Sequence, residues 1–126
     1  MEDNNRSLQE LEELMNQASY DQVIQEIGNE PKQPEELWYL CESYYVLENY
    51  DEMYEILRRF DRLVKSTQDF IRYCFYMGVS LHKFGDIEGA RKSLQHGIEF
   101  LKFMPDPHLQ EKFANYLPTV PQLPKS

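Results

Sequence analysis

The chain has 126 residues, 41% of them hydrophobic, which suits one domain with a modest core. Its net charge of −9 is unevenly spread, because residues 1–57 hold 15 acids and 2 bases whereas residues 58–126 hold 7 acids and 11 bases. Nucleic-acid binding requires a basic face, so this balance argues against it and fits a basic partner better. The acids equally fit a plainer role, which is to solvate the outer faces of helices.

The residues that usually carry chemistry are too few and too scattered to suggest an active site. Cys41 and Cys74 lie in apolar helical patterns without a CxxC spacing, and the three histidines show no H-E-x-x-H spacing. Glycine-rich phosphate loops and a G-x-S-x-G elbow are missing as well. We therefore expect a non-enzyme with no catalytic residue, metal or cofactor.

Membrane insertion and secretion are not predicted either. No apolar run reaches 18 residues, and the first residues lack the basic and apolar regions of a signal peptide. The expected location is cytoplasmic, or the cytosolic face of an organelle if the native chain carries a C-terminal anchor.

The first thirty residues predict a pair of helices. Apolar residues recur at helical spacing after Ser7 and after Ser19, and each serine is followed three residues later by Glu or Gln, as in a capping box. Gly28 can end the second helix as a C-cap. The predicted hairpin covers residues 4–30.

Two further hairpins are predicted downstream. Pro34 suits the first turn of a helix, and Asn49 suits the N-cap of its partner, which gives a hairpin over residues 34–65. In the third hairpin, residues 68–104, Gly85-Asp86 combines a left-handed C-cap with an N-cap and so predicts a short turn.

Within the third hairpin, small and large residues follow a characteristic order: Met77-Gly78, Leu81, Ala90 and Leu94. This order resembles the pattern W-x2-L-G-x2-Y…A-x3-F…P of a tetratricopeptide (TPR) repeat, whose period is about 34 residues. Shifting by 37 residues aligns the second hairpin with it, with Cys41 on Gly78, and a longer turn around residues 65–68 would absorb the excess. The first hairpin is 30 residues from the second, and bulky Leu11 replaces the small residue, so that copy is degenerate.

The end of the chain is expected to cap the array. Pro105-Asp106-Pro107 should stop one helix and start another, and a final helix over residues 106–117 resembles the solvating helix of a repeat array. Residues 118–126 form a proline-rich tail, either a flexible linker or a polyproline II ligand. The predicted fold is all-α, a right-handed array of about three antiparallel TPR-like hairpins in a single domain, residues 1–117.

The TPR resemblance also implies a site. In such arrays the first helix of each hairpin lines a concave groove, and aromatic side chains there are the usual anchors of an interface. For Trp38 and Phe75, a place in the core is an equally good interpretation. The groove residues implied by the resemblance are Trp38, Tyr39, Glu42, Tyr45, Arg72, Phe75, Tyr76, Val79, His82 and Lys83.

The expected function is therefore that of a non-catalytic adaptor or scaffold that binds a peptide or helix of a partner protein. The alternative is a structural subunit of a larger assembly or a homodimer. In layout, and in Tyr73-Cys74-Phe75-Tyr76-Met77, the chain also resembles the cytosolic domain of the mitochondrial fission adaptor, whose C-terminal membrane anchor has no counterpart in residues 118–126.

Overall fold

The computed structural model of the chain describes residues 7–121, which are mainly helical. No strand occurs among them, so the predicted all-α class is confirmed. The residues form two compact units, the first ending at Leu63 and the second beginning at Val64. The helices are α1 Leu8–Asn16, α2 Tyr20–Ile27, α3 Pro34–Val46, α4 Tyr50–Arg59, α5 Thr67–Lys83, α6 Ile87–Leu101 and α7 Pro107–Tyr116, with 3-10 helices at Asp61–Leu63 and Leu117–Thr119.

Three turns of the same type join α1 to α2, α3 to α4 and α5 to α6. Each has three residues, and the middle one is left-handed: Ala18 (φ 57°), Glu48 (φ 60°) and Gly85 (φ 93°). The next residue's N–H donates to a carbonyl five positions back, as in a Schellman motif. These bonds are Ser19 to Leu14 at 2.9 Å, Asn49 to Tyr44 at 2.8 Å and Asp86 to Leu81 at 2.9 Å.

The first helix of each pair is longer than the one before. Helices α1, α3 and α5 have 9, 13 and 17 residues, so each gains about one turn. The 37-residue spacing of the last two hairpins therefore comes mainly from the extra turn in α5. The connection between α4 and α5 covers residues 60–66, so residues 65 and 66 belong to it, whereas residues 67 and 68 already lie in α5.

The predicted residues occupy the N-terminal ends of α1 to α4, but not all of them make the predicted capping hydrogen bond. The capping box of Ser7 and Glu10 and the place of Pro34 in the first turn of α3 are confirmed. Ser19 and Asn49 do occupy N-cap positions, but their side chains accept no hydrogen bond there. Both residues lie in the Schellman turns, where their backbone N–H groups supply the ordering bond instead.

In the first unit the core surrounds α3, which packs against α1, α2 and α4. Three neighbours leave only a narrow part of its surface accessible. Its buried apolar residues meet those of the flanking helices, and the fully buried members are Leu11, Val23, Leu37, Leu40, Cys41, Met53 and Leu57.

In the second unit α5 and α6 pack closely because small residues face large ones. Gly78 lies against Leu94, and Ala90 is fully buried beside them. Gly97 of α6 gives room to the Phe113 ring of α7, since a β-carbon there would stand 2.8 Å from Cε1 of that ring. Helix α7 thus packs onto α6 at the position where a final helix was predicted.

The structured part of the chain continues past the predicted boundary at residue 117. Leu117–Thr119 forms a 3-10 helix, Val120 is only 3% exposed, and Arg91 Nη1 donates to the Val120 carbonyl at 3.1 Å. Pro118 is therefore part of a 3-10 helix and not of a polyproline II segment. The rest of the predicted tail, residues 122–126, lies outside the described residues.

Candidate functional site

Helix α3 presents one accessible stripe on its surface. Glu35 and Val46 are exposed, and Tyr39, Glu42 and Tyr45 are partly exposed. Positions 35, 39, 42 and 46 follow the spacing of a single helix face, and Tyr45 borders it. We call these five residues the α3 stripe.

The start of α3 is fixed by local contacts that hold this stripe in place. Pro34 sets the first helical φ, and the buried carboxylate of Glu36 accepts a hydrogen bond from the Lys32 N–H at 3.0 Å. The contacts with α1, α2 and α4 cover the remaining faces. The stripe therefore lies on a helix that is packed on its other faces.

Carboxylates surround the tyrosines of the stripe. Burial raises the pKa of Tyr39, and the charges of Glu12 and Glu35 raise it further. Burial also raises the pKa of Tyr45, with additional contributions from Glu42 and Tyr50. Both phenols are therefore neutral at physiological pH, so the surface combines aromatic rings with negative charge. Such a surface can receive a cation by ion pairing and by cation–π contact.

Trp38 does not belong to the accessible part of α3. It is 7% exposed and lies among the buried residues of the helix. Of the two interpretations of this residue, burial favours the core.

The predicted groove residues of α5 are divided between core and surface. Phe75 and Val79 are fully buried and Tyr76 is nearly so. The Phe75 ring meets the rings of Phe113 and Tyr116 edge-on, with centroids 5.2 Å and 5.9 Å away. Helix α7 thus covers Phe75, which favours the core interpretation for this residue as well.

The remaining α5 residues are accessible and lie toward its two ends. Arg72 pairs with Asp69, Nη1 to Oδ1 at 3.7 Å, in the first half of the helix, and Lys83 is exposed at the other end. His82 Nδ1 lies 2.7 Å from the Tyr116 hydroxyl, and burial together with the charge of Lys83 lowers the pKa of His82. These side chains belong to local contacts of the second unit.

The potential nucleophiles are buried. Cys41 and Cys74 are free thiols, and burial raises the pKa of Cys41 well above its usual range and that of Cys74 to about 12. Both are protonated at neutral pH and therefore weak nucleophiles. Among residues 7–121, no three His, Cys, Asp or Glu side chains are grouped so that they could hold a metal ion.

One surface feature was not predicted from the sequence. A cleft of about 520 Å³ lies between α6, α7 and the segment 117–120, and Arg91 is part of its lining. The helical spacing of Arg91, Ile98 and Lys102 is that of one face of α6, but this spacing does not show that the 3-10 helix forms a wall beside it.

Searches of protein-family models, curated proteins and solved structures found no match to this chain. In the part of the chain that the structure describes, none of the helices has the length and apolar character needed to cross a bilayer.

Proposed function

We propose that this chain is a non-catalytic adaptor built from TPR-like hairpins, and that the α3 stripe binds a basic peptide or helix of a partner protein. Of the groove residues predicted from sequence, the proposed site keeps Tyr39, Glu42 and Tyr45. The buried aromatics Trp38 and Phe75 belong to the core in this proposal.

The three equal turns support the repeat interpretation. When the hairpins are aligned on those turns, with shifts of 30 and 37 residues, buried positions coincide along both helices of each pair. The aligned sets are Leu11, Cys41 and Gly78; Val23, Met53 and Ala90; Ile27, Leu57 and Leu94; all nine residues are buried. Shared turns and shared buried positions are what repeated hairpins require.

The single observation that carries the binding proposal is the acidic, tyrosine-bearing α3 stripe. It belongs to a strongly acidic unit, since residues 7–63 contain 14 Asp or Glu and 4 Lys or Arg. A basic ligand gains long-range attraction to such a unit and short-range contacts with Glu42 and the two tyrosines. Charge complementarity thus selects a basic partner, while the rings provide contact area.

The test is fluorescence anisotropy with a labelled amphipathic helical peptide that carries lysines on one face and leucines on the other. The wild-type chain should bind it with an affinity that falls as salt is raised. Replacing Glu35 and Glu42 by Gln and Tyr39 and Tyr45 by Ala should weaken binding about tenfold or more, equivalent to roughly 1.4 kcal/mol.

A matched control replaces two acids outside the stripe, Glu26→Gln and Glu55→Gln, both exposed in the same unit. If the control weakens binding as much as the stripe variant, attraction by net charge alone explains the binding, and the stripe is not the site. Binding that ignores salt would also contradict the proposal. Circular dichroism of each variant checks that folding is preserved.

Self-association is a second candidate function, favoured by an apolar patch at the end of α6. Phe103 is 84% exposed, and Phe100 and Met104 beside it are also exposed. Contiguous exposed apolar groups mark interaction surfaces more often than isolated ones. Sedimentation velocity at micromolar concentration tests this: a dimer that Phe103→Ser converts to monomer supports it, and a wild-type monomer rejects it.

A further inference from the structure

The apolar cleft of the second unit, about 520 Å³ in volume, has three walls and a chemically simple lining. Helix α6 contributes one wall, α7 the second, and the segment 117–120 the third. This volume lies within the range of about 300–1,000 Å³ that is usual for small-ligand sites. Its apolar lining includes Ile98, Leu101, Phe113, Ala114 and Leu117.

The charged groups of this cleft all have the same sign. Arg91 and Lys102 are part of its lining, and no described carboxylate is. The two cations are eleven positions apart along α6, which is about 16 Å at roughly 1.5 Å per residue. An elongated ligand can therefore place an anionic group at one end of the cleft and apolar atoms along it.

Arg91 is already positioned for such an anion. Its Nη1 donates to the carbonyls of Val120 at 3.1 Å and Pro121 at 3.4 Å. Carbonyls are neutral, so they orient the guanidinium without neutralising its charge. Within residues 7–121 the Nε and Nη2 donors make no hydrogen bond or ion pair, and a guanidinium edge matches a carboxylate in a bidentate pair.

We infer that this cleft binds a small anionic amphiphile, an aliphatic monocarboxylate. Its carboxylate pairs with Arg91, and its hydrocarbon body lies against Ile98, Phe113 and Leu117. Apolar burial supplies affinity, while the cation selects the acid over a neutral molecule of the same length. This site lies wholly within the second unit and is separate from the α3 stripe.

The test uses the full chain labelled with ¹⁵N and titrated with decanoate or decanol. Decanoate should cause saturable shifts in amides of α6, α7 and 117–120, with an affinity about tenfold or more above that of decanol. Arg91→Gln should bring the two affinities to within about twofold, whereas Arg91→Lys should retain a preference for the acid. Because both variants alter the contacts to Val120 and Pro121, their comparison separates charge from local structure.

A second pair of variants tests the location without touching Arg91. Ala114 is exposed and lines the cleft, so Ala114→Phe should fill it and abolish binding of both compounds. Asn115 is its exposed neighbour outside the lining, and Asn115→Phe should leave binding unchanged.

Equal affinities for decanoate and decanol in the wild-type chain would indicate a merely apolar docking surface and overturn the assignment. Shifts centred on Phe100, Phe103 and Met104 would also overturn it. A preference for decanoate that survives in Arg91→Gln would show that Arg91 does not hold the carboxylate.

Discussion

Gly78 lies directly against the side chain of Leu94. A β-carbon built on Gly78 would stand 2.7 Å from both Cγ and Cδ2 of Leu94, and 3.3 Å from the carbonyl oxygen of Ala90. Because Cγ is a branch point and not the end of a flexible chain, it has little freedom to move away. The close approach of α5 and α6 therefore depends on the missing side chain at residue 78.

Gly78→Ala should destabilise the protein. Overpacking a core costs roughly 1–3 kcal/mol, whereas replacing a helical glycine by alanine gains at most about 1 kcal/mol. We expect a net loss of about 1–2 kcal/mol, measured as the free energy of unfolding in urea.

The double variant Gly78→Ala/Leu94→Ala shows whether the loss comes from this contact. In the Leu94→Ala background the two Leu94 atoms at 2.7 Å are gone and only the Ala90 carbonyl oxygen at 3.3 Å remains, so Gly78→Ala should have little effect or a stabilising one. Equal losses in both backgrounds would place the cause elsewhere. Gln95→Ala, exposed on α6, should change stability by less than about 0.5 kcal/mol.

The contrast between Gly78 and Phe75 shows what sequence could predict. Gly78, Ala90 and Leu94 obey a local order of small and large residues, and such an order, visible in the sequence, indicates that two helices approach closely. The environment of Phe75 depends on α7, which follows some thirty residues later, and the helical pattern alone could not show which face α7 covers. On α3, Tyr39, Glu42 and Tyr45 were predicted to be accessible together with Trp38. Trp38 could not be separated from them because it has the spacing of one helix face with Glu42 and Tyr45.

Two of the three left-handed turn positions could not be predicted from the sequence. Gly85 predicted a left-handed backbone conformation in its turn, whereas Ala18 and Glu48 adopt the same conformation although they are not glycines. A side chain there costs roughly 1–2 kcal/mol, and glycine removes this strain but loses more entropy on folding. Replacing Glu48 by Gly should therefore raise the free energy of unfolding, by about 0.5–1 kcal/mol.

The reverse change at the third turn provides the matched comparison. Gly85→Ala should lower the free energy of unfolding by about 1 kcal/mol, although no atom obstructs a β-carbon there. Thermal and urea unfolding of both variants measure the pair. Effects of the same sign at residues 48 and 85 would contradict the view that backbone conformation controls these turns.

The contact between His82 and Tyr116 should make stability depend on pH in a defined direction. Burial and Lys83 lower the pKa of His82 below its usual 6.5, so the unfolded chain binds this proton more tightly than the folded one. The stabilisation of the fold by neutral His82 is complete above pH 6.5. It declines as the pH falls from there through the pKa of His82 in the folded chain. The relevant measurement is the free energy of unfolding at pH 8 and pH 5.5 for wild type and His82→Gln.

The difference between wild type and His82→Gln should shrink or reverse at the lower pH. His96→Gln serves as the control for replacing a histidine outside this contact, because His96 is exposed on α6. Tyr116→Phe should cost roughly 1 kcal/mol at pH 8, the usual contribution of a hydrogen bond. A wild-type advantage over His82→Gln that grows on acidification would contradict the assigned direction.

Trp38 and Tyr45 distinguish the core of α3 from its accessible stripe. Trp38 is buried, so Trp38→Ala leaves a large cavity and should cost about 3–5 kcal/mol of unfolding free energy. Tyr45 is partly exposed, and Tyr45→Ala should cost about 1 kcal/mol while weakening capture of the basic peptide. Effects on stability and on peptide affinity should therefore fall on different residues. Trp38→Phe refills most of the cavity and should keep peptide affinity, whereas Tyr45→Ala should lose it. If Trp38→Phe instead lowered peptide affinity in a fully folded chain, the partner would contact Trp38 as well as the α3 stripe. The assignment of Trp38 to the core and of Tyr45 to the binding surface would then be wrong.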